Sequence, residues 1–135
     1  MKNNKIIILV ASHKPDKVYQ DNVYIPIHVG RAISKYQEEM AWMIGEDTCD
    51  NISKKNPNYC ELTAQYWAWK NDDADYHGCF HYRRDFAFDP SITREDGWGN
   101  IVYDRIDDEA IKELKLDPVT MKKIITQYDV ISVKG

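Results

Sequence analysis

Asn56-Pro-Asn-Tyr-Cys-Glu-Leu-Thr-Ala-Gln-Tyr-Trp-Ala-Trp-Lys-Asn71, followed at once by Tyr76-His-Gly-Cys-Phe-His-Tyr82 and then by Arg83-Arg84-Asp85, is the stretch that decides the fold. Its first half reads as a helix. Either Asn58 caps it, with Glu61 three residues on completing a capping box, or Asn56 caps it with Pro57 at the first helical position. Tyr59, Leu62, Tyr66 and Trp69 recur at helical spacing on one stripe, with Glu61, Gln65 and Ala68 opposite. Asn71-Asp72-Asp73 breaks the helix, and the β-like run 76–82 follows. This is a helix-to-strand unit whose strand stops at histidine and arginine, and in an open α/β sheet ligands sit at the carboxyl ends of strands.

Outward from this unit, residues 6–11 form a continuous apolar, β-branched run that suits a strand buried on both faces of a parallel sheet. Pro15 stops this strand and biases Lys14 to an extended conformation. Residues 24–30 read as a short edge strand, because Pro26 cannot donate in a central one. Residues 32–43 read as a short helix. The polar loop 45–55 leads into the organising helix and carries Asp47, Asp50, Asn51 and Ser53, a binding loop if it is more than solvated. Residues 97–100 make a turn, 108–116 a short helix, and Asp117-Pro118 starts another whose Val119, Met121, Ile124, Ile125 and Tyr128 form a core face. Residues 129–133 read as a last apolar strand. The order predicts an α/β domain with a largely parallel sheet.

A chain of 135 residues can bury a core of its own. The net charge of −4 argues against tracking along nucleic-acid phosphates. Cys49, Cys60 and Cys79 are odd in number and lack Cys-x-x-Cys spacing, so they read as reduced thiols, with Cys60 and Cys79 buried. The apolar run behind Met1 is too short for a signal peptide, and no segment spans a bilayer. The expected location is the cytoplasm, at the inner face of the membrane through partners.

In the run 76–83, Tyr76, Gly78, Phe80 and Tyr82 share one side of a strand and His77, Cys79, His81 and Arg83 the other. Arg83 and Arg84 at its carboxyl end suit a diphosphate, since guanidinium forks match phosphate oxygens; the alternative is ion pairs with nearby aspartates. His13 and His81 converge if their strands are neighbours, yet two histidines alone do not make a metal site. Asp73-Ala74-Asp75 spells the Asp-x-Asp of many nucleotide-sugar transferases, but it precedes the strand and reads as turn and helix-stop residues.

Asp50-Asn51-Ile52-Ser53, the run 56–71, His81-Tyr-Arg-Arg84, Ala11-Ser12-His13-Lys14-Pro15 and Tyr24-Ile-Pro-Ile-His-Val-Gly30 together resemble an uncharacterised domain of bacterial capsular and exopolysaccharide biosynthesis proteins, grouped with GT-A-type glycosyltransferases. The resemblance implies a Rossmann-like, GT-A-like fold over 1–135 with flanking helices, binding a nucleotide-activated sugar. It implies a glycan or lipid-linked sugar as acceptor, and a family domain that runs on past Gly135. In the roles that follow, Ser12, His13 and Lys14 line the nucleotide side. Asp50, Asn51 and Glu61 bond base, ribose or sugar hydroxyls. Arg83 and Arg84 neutralise the diphosphate, and His81 orients it. No catalytic residue is assigned. No cofactor is fixed, a divalent metal stays open, and Asp85 is the residue that would meet it. The short chain is expected to bind donor without transferring sugar and to self-associate through its last strand. The other readings are a non-catalytic nucleotide-sugar or glycan binding module, and a metal-dependent phosphohydrolase using His13, His81 and aspartates.

Overall fold

The computed structural model describes residues 4–89, 91–92 and 95–132, and the chain divides into two compact units, Met1–Asp85 and Phe86–Gly135. The first unit holds a four-stranded, all-parallel sheet of β1 (Ile6–Ser12), β2 (Tyr24–His28), β3 (Ile44–Gly45) and β4 (Tyr76–His81) in the order β3-β2-β1-β4. β1 is central and buried at six of its seven positions, as its unbroken apolar run requires.

Pairing partners fix the two faces. Ala11 lies beside Ile27 and His81, and Ser12 beside His28. One face, with Leu9, Ala11, Ile27 and Val29, packs on Ala64 and Ala68 of α2 (Leu62–Asn71). The other presents Ile8, Val10, Tyr24, Phe80 and Tyr82, all buried.

β2 is an inner strand rather than an edge, and Pro26 is tolerated for a geometric reason. Ile8 N bonds Val23 O and Val29 N bonds Ser12 O, so the odd-numbered residues of this segment face β1. Alternation then turns the nitrogen of Pro26 toward β3, which pairs only with Ile27 and His28. No ladder bond is lost.

The organising helix is broken in two. α1 (Asn56–Tyr59) carries Pro57 in its first turn, and Cys60 then takes a positive φ of 47° before α2 begins. No capping box forms at Asn58, and Cys60, at the bend, is exposed rather than buried. The helix is also inverted relative to size: Thr63, Ala64 and Ala68 face the sheet, while Tyr59, Leu62 and Trp69 are 48, 54 and 69 % exposed. Small residues let the helix approach the sheet closely. Cys79 on β4 is half-buried, and loss of solvent pushes its thiol up to about 11.

Residues 32–43 do not form the expected helix. Only Arg31–Ile33 makes a 3-10 turn; Ser34 is extended and its hydroxyl takes the amide of Tyr36 at 3.1 Å, a local bond that competes with helix propagation.

In the second unit, Asp107 caps α3 (Asp108–Glu113) through Ala110 N, and Asp117 caps α4 (Pro118–Ile125) through Thr120 N, both at 2.9 Å. Ala110, Leu114, Leu116 and Met121 are buried, and the amide of Phe88 bonds Leu114 O. Val119 and Tyr128, expected in the core face, are exposed, since the face turned inward is centred on Met121. Asp96 closes the turn 96–100 by accepting from the amides of Trp98 and Asn100, with Gly99 at φ 75°. The expected last strand does not form: residues 129–132 are neither strand nor helix, and Val133 lies outside the described residues. A strand needs a ladder partner, and the second unit has no β-strand among its described residues.

Candidate functional site

The chain leaves β1 toward β2 and β3 on one side, then returns to place β4 on the other. The direction of winding therefore reverses between β1 and β4, and the carboxyl ends of these two strands flank the crevice where open α/β sheets bind ligands. His13 follows β1 and His81 ends β4; their rings lie 6.5 Å apart. The Tyr82 and His13 rings meet edge to face, their centroids 5.4 Å apart. On the other side of His81, Glu61 Oε1 stands 3.6 Å from Nε2, just ahead of α2. The amide of Arg83 donates to His81 Nδ1 at 3.3 Å, so the ring proton sits on Nε2, facing Glu61.

Arg83 lies over the Tyr82 ring at 4.7 Å and bonds its hydroxyl. Arg84 holds the turn by exchanging backbone bonds with His81. Both arginines are exposed, and neither meets a carboxylate among the described residues. Burial lowers the His81 pKa, and Arg84, His13 and Arg83 add to this against the pull of Glu61. The imidazole is neutral near pH 7, which leaves the guanidinium groups to carry the positive charge. Asp85, next in the chain, is half-buried, and burial pushes its carboxyl up to about 6.

The remaining expected residues separate. Ser12 closes β1 fully buried and points to the opposite face from His81, its hydroxyl without a partner among the described residues; Lys14 follows His13, half-buried. Asp50 is fastened to α2, accepting from Tyr66 at 2.9 Å and exchanging bonds with Asn71. These partners lie five and ten residues beyond Glu61, about 7 and 15 Å further along the helix, so Asp50 does not join the histidines. Asn51 is spent on the carbonyls of Thr48 and Cys49 and on the amide of Ser53. It also lines an open groove of about 610 Å³ with Ala32, Asp47, Lys54 and Lys55.

Two buried polar residues at the carboxyl ends were not singled out in the sequence. His28 ends β2, bonds Ser34 through Nε2 at 2.9 Å, and has a pKa lowered by burial and by Arg31. Glu46, directly after β3, accepts from the amide of Gly30 and lies 3.5 Å from the Ser53 hydroxyl; burial raises its pKa. Glu46 sits in the polar loop read as a binding loop, and nothing in its neighbours signals burial. Its register beside β2 creates it.

Asp73-Ala74-Asp75 lies at the amino ends of the strands. Lys5 Nζ binds Asp73 at 2.5 Å, and the amide of Lys5 binds Asp75 at 2.8 Å. Among the described residues no three His, Cys, Asp or Glu side chains gather as a metal site, and no helix is long and apolar enough to cross a membrane.

Among curated proteins, none matches the chain. A solved structure, the WbbM bifunctional glycosyltransferase in its apo form, is similar over 90 % of this chain at 39 % identity and a TM-score of 0.77. That similarity spans 21 % of the other protein, so the chain corresponds to about a fifth of its length. Part of a glycosyltransferase thus shares this sheet and much of its sequence. Residues 7–134 match the family described as a domain of unknown function, DUF4422. The chain belongs to that family.

Proposed function

We propose that the crevice between the ends of β1 and β4 binds the diphosphate of a nucleotide-activated sugar, as the donor site of a glycosyltransferase acting in surface polysaccharide assembly. The observation that carries this is topological: the strand order reverses where His13, His81, Arg83 and Arg84 meet. The likeness to a bifunctional glycosyltransferase supports the same chemistry.

In transfer, the bond from the sugar to the diphosphate breaks, and negative charge grows on the departing nucleoside diphosphate. Cationic donors held in place stabilise that charge. Arg83 and Arg84 are the donors here, and the half-buried Asp85 is the carboxylate nearest them in sequence. Among the described residues no three His, Cys, Asp or Glu side chains gather beside the crevice, and the arginines are the cations at hand to neutralise the diphosphate.

Calorimetry against a panel of nucleoside diphosphates and their sugars tests the proposal. Saturable binding that persists with a chelator supports it, and a folded sample that responds to none of the panel contradicts it. A donor-consumption assay separates a transferase from a binding module, which binds without turnover.

A further inference from the structure

Glu61 meets His81 only because the chain bends sharply between α1 and α2. The bend is Cys60, at φ 47° and ψ −130°, a conformation that suits glycine and costs any residue with a Cβ. Such strain persists where its surroundings over-determine it. The Cys60 carbonyl accepts three bonds, from Asn56 Nδ2 and Thr63 Oγ1 at 2.9 Å each and from the Thr63 amide at 3.2 Å. Its own amide donates to Asn56 O at 2.8 Å. Asn56 Nδ2 also donates to Thr63 Oγ1 at 3.1 Å, so the two side chains brace each other.

The brace is anchored in the sheet. Asn56 packs against Gly30, where an added Cβ would lie 2.8 Å from Asn56 Oδ1. Gly30 has φ 66° and gives its amide to the buried Glu46. Thr63 is fully buried, and its hydroxyl also reaches the Glu46 carboxylate directly after β3. The ends of β2 and β3 therefore fix Asn56 and Thr63, which fix the Cys60 carbonyl. The next residue is Glu61.

We propose that Asn56 and Thr63 are positioning residues: by clamping the strained Cys60 carbonyl they hold the Glu61 carboxylate against His81 at the crevice. The functional weight of this rests on the donor-site reading, but the clamp can be measured with no donor present. The charged groups acting on His81 are Glu61, His13, Arg83 and Arg84, and the Tyr82 ring lies against it with centroids 4.3 Å apart. Glu61 is the one anion of the four, and its approach raises the imidazole's pKa where the others lower it.

The test is an NMR titration of the His81 imidazole in the intact 135-residue chain. Glu61→Gln lowers the midpoint, and Thr63→Val and Asn56→Ala lower it in the same direction while the far amides stay folded. Thr63→Ser, which keeps the hydroxyl, restores it. Cys60→Gly, which keeps the bend without its strain, raises Tm and leaves the midpoint in place. An unchanged midpoint in Thr63→Val and Asn56→Ala, beside a lowered one in Glu61→Gln, overturns the proposal. If Thr63→Val does not fold, Asn56→Ser carries the same comparison, and a fall in Tm for Cys60→Gly removes the strained bend on which the clamp depends. In a parallel UDP titration, affinity falls for Glu61→Gln and Thr63→Val together. Absence of UDP binding by the wild type would count against the donor site, while the His81 midpoints would still decide the clamp.

Discussion

At the amino ends of the strands, Asp73 and Asp75 are tied to Lys5, and Asp72 lies 3.2 Å from His77. At the carboxyl ends, Arg83 and Arg84 stand exposed without carboxylate partners among the described residues, and the rings of His13, His81 and Tyr82 meet in tilted and edge-on contacts beside them. Both ends are rich in charge. At the first, the charges cancel locally and stitch the start of β1 to the approach to β4. At the second, cations are presented at the strand ends with no described carboxylate to neutralise them. Abundance of charged residues thus says little about a ligand site, and unsatisfied charge on fixed elements says more.

The largest expected effect tests that difference directly. Arg83→Ala removes a charge-assisted bond to the diphosphate worth about 1.5–3 kcal/mol, so calorimetry should show UDP binding weakened ~10- to 150-fold. Arg83 and Arg84 replaced together should lose more. Binding unchanged in the double variant would break the comparison.

Two aspartates sharpen it through pH. Burial raises Asp85 from 3.8 to about 6, whereas the Lys5 ammonium lowers Asp73. A raised folded pKa means that the Asp85 contribution is fully present below pH 4 and is lost as pH rises through about 6. The loss is at most on the order of 3 kcal/mol. Asp85→Asn should therefore melt higher than wild type at pH 7, with the difference vanishing near pH 4. Asp73 has the opposite sign, its contribution being present above its unfolded pKa and lost as pH falls. A wild-type advantage over Asp85→Asn at pH 7 would mean that the carboxylate is paired.

α2 runs from one end of the sheet to the other, and its inverted face makes a middle-sized prediction. Ala68→Leu overpacks the sheet contact and should cost about 1–3 kcal/mol in denaturant unfolding. Trp69→Ser should stay within about 0.5 kcal/mol for solvation of the exposed ring, plus its contact with Lys70. The smallest effect is at the amino end: Asp73→Ala should leave UDP affinity within replicate scatter.

The parallel sheet was legible because residues 6–11 carry the continuous apolar run of a strand buried on both faces, and a helix precedes the β-like run 76–82. The convergence of His13 and His81 followed from making those strands adjacent. The burial of α2 was not legible, because periodicity shows that large residues share a stripe without showing which stripe faces the sheet. Close approach of the helix selected Ala64 and Ala68 instead. Pro26 suggested an edge strand, since the direction of its nitrogen depends on register. Glu46 and the bend at Cys60 were invisible for the same reason: both arise from contacts between segments distant in sequence. The charge pattern at Asp73-Ala74-Asp75 was legible once its place before the strand was weighed.

The central claim is that the ligand end of this sheet is the carboxyl end of β1 and β4. An amide-resolved NMR titration of the chain with each nucleoside diphosphate of the panel addresses it most directly. The account predicts that residues 12–14 and 81–84 shift together with a single saturation curve while residues 72–75 stay still. Shifts centred on 72–75, or none at any position, would contradict it.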